Sequence, residues 1–159
     1  MARPAEEWFV GSQPVAQTSL MRKLDSLEPW TCGRAVARMA YRLTLKPPLS
    51  RHFGLVDQIR RAAASIPANI AEGYALGTTA QFIRFLRIAL GSGTELCTHL
   101  ELVRDLGLAP ADAIEEAIKL SNRVVGLLIG LTYSLRRRLD DRHPSPVPLP
   151  SSPQSLDGR

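Results

Sequence analysis

The sequence predicts an all-α fold, an antiparallel up-down-up-down four-helix bundle. Three observations predict it. Apolar residues recur every three or four positions in four separate stretches, the period of a helix with one buried face. The connections between the stretches are short and carry proline or glycine, so each helix has to turn back along the one before it. No stretch alternates apolar and polar residues with the period of two that marks a half-buried strand. The four stretches place the bundle at residues 27–140, between an N-terminal extension at 1–26, expected to be flexible, and a Pro-rich tail at 141–159, expected to be disordered.

The extension mixes Pro4, Gly11 and Pro14 with the cluster Trp8-Phe9-Val10, which either orders on a partner or folds back on the domain. The first helix is expected from Pro29, a favourable first-turn residue, to Leu45, where Pro47 and Pro48 forbid continuation. Val36, Met39, Ala40 and Leu43 form its buried stripe. The second helix centres on Gln58–Tyr74, QIRRAAASIPANIAEGY, with Leu55, Ile59, Ala62 or Ala63, Ile66 and Ile70 facing the core and Gly73 or Gly77 as its stop. Pro67 has no amide hydrogen and its ring crowds the carbonyl of Ala63, which predicts a kink, or a stop and restart, that shapes how subunits meet.

The third helix starts at Thr78, with Gln81 completing a capping box. Phe82, Phe85, Leu86, Ala89, Leu96, Leu100 and Val103 carry its stripe to Asp105. Gly91 and Gly93 cost helix propensity of up to ~1 kcal/mol each, so a close neighbouring helix should offset them. The fourth helix starts near Pro110, carries Ile114, Ile118, Ser121, Val125, Leu128, Thr132 and Leu135, and is expected to end after Arg136-Arg137-Arg138. Ile83, Leu90 and Cys97 on the third helix and Val124, Leu127, Ile129 and Leu131 on the fourth read as flanking apolar residues left exposed, hence self-association. Gly126 and Gly130 form a GxxxG that points to tight packing, within the bundle or between subunits.

Charge narrows the class of partner. The whole chain has a formal net charge of +5. Over Trp30–Leu139 the sequence holds 15 Lys and Arg against 8 Asp and Glu, 15 − 8 = +7, so the predicted bundle is the more basic part. An anionic partner follows, nucleic acid first. Cys32 and Cys97 have no metal-like spacing and read as core residues of a reduced, cytoplasmic protein. No secretory signal is read at the N-terminus, and the apolar run Val124–Leu131 is far short of the ~20 residues a membrane span needs.

GLVDQIRRAAASIPANIAEGY at Gly54–Tyr74, followed by FIRFLRIALGSGTELCTHLELVRDLG at Phe82–Gly107, resembles the bacterial four-helix-bundle proteins of ribosomal RNA intervening sequences. That family includes the accessory variability determinant of diversity-generating retroelements. The resemblance covers roughly 30–138 and implies a four-helix protomer in a barrel-like homopentamer without catalysis. For the retroelement members it implies association with a reverse transcriptase and its template RNA. The long N-terminal extension, the Pro-rich tail, the Pro47-Pro48 connection and Gly93 depart from the family pattern.

The expected function is a non-catalytic, basic oligomeric scaffold that binds RNA, or DNA, and a protein partner, an accessory subunit to such a reverse transcriptase. The alternative is a structural or protein-interaction oligomer with no nucleic-acid role. The candidate contacts are Arg34, Arg38 and Arg42 at i, i+4 and i+8, Arg60 and Arg61, Arg84 and Arg87, and Arg136, Arg137 and Arg138. A solvated polar face explains the first three as well, and a helix C-terminal charge effect explains the last three. No cofactor, metal or catalytic group is expected. Glu95 and His99 have no second such pair, His52 and His143 lie in a loop and the tail, Ser65 lacks a base, and Asp57, Asn69 and Glu72 read as solvated or hydrogen-bonding groups.

Overall fold

The computed structural model describes residue 21 and residues 23–142. Most of the extension and of the tail, with the Trp8-Phe9-Val10 cluster, lies outside the described residues. Four long helices make up nearly all of the rest: α1 (Glu28–Thr44), α2 (Phe53–Ala75), α3 (Thr79–Asp105) and α4 (Ala111–Arg142), with a 3₁₀ turn at Leu49–Arg51 between α1 and α2. Among the described residues there is no strand.

Local chemistry sets the ends. Glu28 and Pro29 open α1. The Thr78 hydroxyl accepts the Gln81 N–H at 3.3 Å and donates to Gln81 Oε1 at 2.7 Å, so the expected box closes through the hydroxyl. At the end of α3, Gly107 adopts φ +61°, its N–H bonds to Arg104 O, and the Leu108 N–H reaches back to Val103 O, each at 3.0 Å. Those paired bonds are a Schellman stop, with Leu108 and Val103 buried beside it. Gly77, at φ +77°, ends α2. Gly73 does not: it lies inside the helix, where a Cβ would come within 2.5 Å of Phe85 Cβ.

Two expectations about the helices need correction. α2 runs uninterrupted from Phe53 to Ala75 with Pro67 inside it, so it does not stop and restart. Pro67 sits beside Gly33 of α1, where a Cβ would stand 3.7 Å from Pro67 Cδ and 3.0 Å from Ile66 Cγ2. The proline forfeits one backbone hydrogen bond, while packing against α1 holds the turns on either side. α4 continues past Arg138 to Arg142, 32 residues or about 48 Å.

The helices pack α1 on α2, α2 on α3, α3 on α4, and α4 on α1. Side chains that meet across these seams include Thr44 with Arg60, Ser65 with Ser92, Cys97 with Asn122, and Glu28 with Arg123. The core they enclose contains Ile59, Ile66 and Ile70 of α2, Leu86, Leu96 and Leu100 of α3, and Ile114 and Leu128 of α4, all buried. Full burial of one such side chain contributes about 1.5–3 kcal/mol. Leu24 is also fully buried, so packing begins before residue 27.

Ile83 and Val124, expected at the exposed flank, are buried, and Val125 and Met39 are only half-buried. Val124 stands three residues after Ser121 and four before Leu128, which places it on their face of the helix. Gly93 meets Val125 Cγ2 at 3.0 Å and Ile66 Cδ1 at 3.9 Å from a built Cβ, the close approach its propensity cost called for. Gly91, Gly126 and Gly130 face open space among the described residues, so the GxxxG is not packed against another described helix.

Replacing Gly73 with alanine should lower stability by about 1–3 kcal/mol in urea denaturation, because the new methyl drives Phe85 off its position. Ser121 Oγ is buried without a hydrogen-bond partner. Ser121→Ala should therefore raise stability, by on the order of 1 kcal/mol in the same assay, and a loss of that size would show that the hydroxyl is bonded in solution.

Candidate nucleic-acid interface

The candidate arginines fall on two sides of the molecule. α1 and α3 are diagonal partners in the helix arrangement, so Arg34, Arg38 and Arg42 lie away from Arg84 and Arg87. All five are exposed. Arg34 stands 3.8 Å from Asp25 and its guanidinium lies 4.7 Å from the centre of the Trp30 ring. Arg38, Arg84 and Arg87 form no ion pair among the described residues, and neither does Arg42.

The arginine pair on α2 is less available than its position at a helix border implied. Arg60 is half-buried: its Nε donates to Thr44 Oγ1 at 2.9 Å and its guanidinium lies 5.2 Å from the Tyr41 ring centre, tying α2 to α1. Arg61 pairs with Asp57 at 3.3 Å and donates to Gln58 Oε1. Thr44 in turn donates to the Tyr41 carbonyl, which fixes the acceptor that Arg60 uses.

Arg136, Arg137 and Arg138 are exposed, and the helix continues beyond them to Arg142. The helix-terminal field acts over the last turn, so it does not account for their placement. Arg138 lines a small cleft with Thr79 at the start of α3, which brings this cluster to the same end of the molecule as the first turns of α3. The fit of this end to a polyanion is electrostatic: guanidinium groups on helix surfaces, able to grip phosphate oxygens without reading bases.

Other polar groups are held in structure. Asn69 Nδ2 donates to the Ser65 carbonyl at 2.8 Å and to Ser65 Oγ at 2.9 Å, and Ser65 Oγ lies 2.8 Å from Ser92 Oγ, a seam between α2 and α3. Glu72 is exposed. His99 Nε2 is 3.6 Å from Glu95. Among the described residues no three His, Cys, Asp or Glu side chains gather as a metal site, and no helix is long and apolar enough to cross a membrane. Sequence reasoning passed over Arg123, whose guanidinium holds Glu28 at 2.7 Å and is pushed up in pKa by that bond; a pairing 95 positions apart has no local signature.

Comparison with known proteins was decisive for the family. Residues 25–130 match the model of the 23S rRNA-intervening sequence protein family. The chain belongs to that family. A similar solved structure is a protein with unknown function from the S23 ribosomal protein family of Bacteroides thetaiotaomicron, at 27% identity and a TM-score of 0.60. The alignment covers 65% of this chain and 97% of that one. No curated protein matches the chain.

The thiols give a pH prediction. Burial, opposed by Arg123, pushes Cys32 above its ordinary value of 9.0, and burial with the Glu101 carboxylate does the same for Cys97. Below pH 9.0 both folded and unfolded chains keep the protons; above it the unfolded chain ionises first. Stability should therefore fall as pH rises from 9.0 through the folded values, and a C32A/C97A variant should show a shallower fall between about pH 8.5 and 10.5 in urea titrations.

Proposed function

We propose that the protein is a non-catalytic RNA-binding scaffold that works as an oligomer. The observation that carries this reading is the set of exposed arginines without carboxylate partners among the described residues, Arg38, Arg84, Arg87 and Arg136–Arg138, in a chain whose family is named for an intervening sequence of 23S rRNA. Such groups contact phosphate, and the release of condensed counterions drives association.

The protomer is read as an up-down-up-down bundle, because residue pairs across its first two seams climb in one helix as they descend in the next: Gly33 with Ile66 and Thr44 with Arg60, then Ser65 with Ser92 and Gly73 with Phe85. The assembly is read as a barrel-like homopentamer, which the resemblance implies. Gly126 and Gly130, open on the outside of α4 beside exposed Ile129 and Tyr133, support a further helix packing there. The protein partner is read as the reverse transcriptase of a diversity-generating retroelement, on the resemblance alone. A second reading, an oligomer whose charges only solubilise it, is favoured by the arginines already tied to carboxylates, Arg34, Arg61, Arg104 and Arg123.

Fluorescence anisotropy with structured RNA tests the first reading. If 6–10 phosphates are contacted, affinity should drop by about 10³–10⁵ between ~50 and ~200 mM salt. R84E/R87E should weaken binding more than R61E, since Arg61 already faces Asp57. No binding at low salt would leave the second reading standing. Light scattering at micromolar concentration should give a mass above 17.5 kDa, reduced to that value by G126L/G130L. A pull-down from the native host that recovers RNA without a reverse transcriptase would remove the retroelement partner and keep the scaffold.

A further inference from the structure

Where α1 runs out towards Lys46 and α3 turns into α4, the surface opens into a groove of about 130 Å³. Its floor includes Met39, Leu43 and Leu108, and its rim carries Arg42, Lys46 and Glu116. A space of that size takes about one aromatic ring, as a cavity of ~150 Å³ takes benzene. Arg42 and Lys46 make no ion pair among the described residues, so two available cations, against the single carboxylate of Glu116, line the groove beside apolar surface. An occupant of matching chemistry is a short aromatic segment preceded by carboxylates.

The chain carries such a segment ahead of the described residues: Glu6-Glu7-Trp8-Phe9-Val10. We propose that this segment docks in the groove of its own chain, with one ring of the Trp8-Phe9 pair over Met39, Leu43 and Leu108, the other at the mouth, and Glu6 and Glu7 towards Arg42 and Lys46. The linking stretch has a length of the right order. From the N-cap Leu27 to Arg42 the helix rises about 22 Å, whereas the chain from Val10 to Met21 reaches up to about 36 Å when extended. Covering one aromatic ring removes up to about 150–250 Å² from water, the main driving force, while the charge pairs at the rim select the direction in which the segment lies. The docked carboxylates also occupy Arg42, a cation α1 would otherwise offer to a polyanion; this corollary alone rests on the RNA-binding reading.

The full-length protein with ¹³C-methyl methionine supplies the test, because Met39 is in the groove and the chain has only 3 methionines. In the wild type, ring currents from Trp8 and Phe9 should displace the Met39 methyl resonance upfield. W8A/F9A should abolish that displacement, with far-UV circular dichroism unchanged to show that the bundle is folded. E6K/E7K should abolish it at low salt, and adding R42E/K46E to E6K/E7K should restore it. A Met39 resonance at the same position in wild type and W8A/F9A would overturn the proposal and leave the groove to another partner. Mixing labelled W8A/F9A with excess unlabelled wild type should leave Met39 unmoved; an upfield return would mean that a second copy supplies the segment, which also overturns docking within the chain.

Discussion

The fold depends on how closely α2 can approach its neighbours, and Ile66 is where that distance is set. Its side chain is fully buried, with Gly33 of α1 on one side and Gly93 of α3 on another, each without a Cβ at the point of contact. Helix separation, usually ~8–10 Å, follows the bulk of the residues at the crossing, so two glycines facing one isoleucine favour close approach of three helices. Gly73 repeats the device one seam along against Phe85. The helix-propensity cost of these glycines is offset by close packing, which an alanine would disrupt most at Gly73.

This close approach explains why Pro67 leaves α2 continuous. A proline in an isolated helix removes a hydrogen bond and strains the preceding turn. Here the preceding residue is fully buried in the core, and Gly33 leaves room beside the proline ring, so tertiary contacts fix the backbone on both sides. Secondary structure at this point is decided by neighbours distant in sequence, which a local reading of the proline could not supply.

The helical period, the Thr78 cap, the Gly77 and Gly107 stops and most of the apolar stripes were legible because each depends on residues within a few positions. Val124 and Ile83 were misplaced because stripes one residue apart look alike until a partner helix chooses between them. The end of α4 was set too early because Arg136–Arg138 resembled terminal charges. The candidate interface was less legible still. That an arginine is exposed can be read from its period, but whether it is already engaged cannot: Arg60 finds Thr44 and Tyr41 across a seam, and Arg61 finds Asp57 one turn away. The open arginines of α3 and α4 emerge only when those engagements are subtracted.

The diagonal placement of α1 and α3 has a consequence for the physical state of any complex with a polyanion. Cations on opposite faces of one small body make it a cross-linker rather than a clamp. Two phosphate backbones can be engaged at once, and the first strand held raises the effective concentration of the second. Mixtures near charge balance would then tend towards networks and condensed phases, and excess of either component would dissolve them.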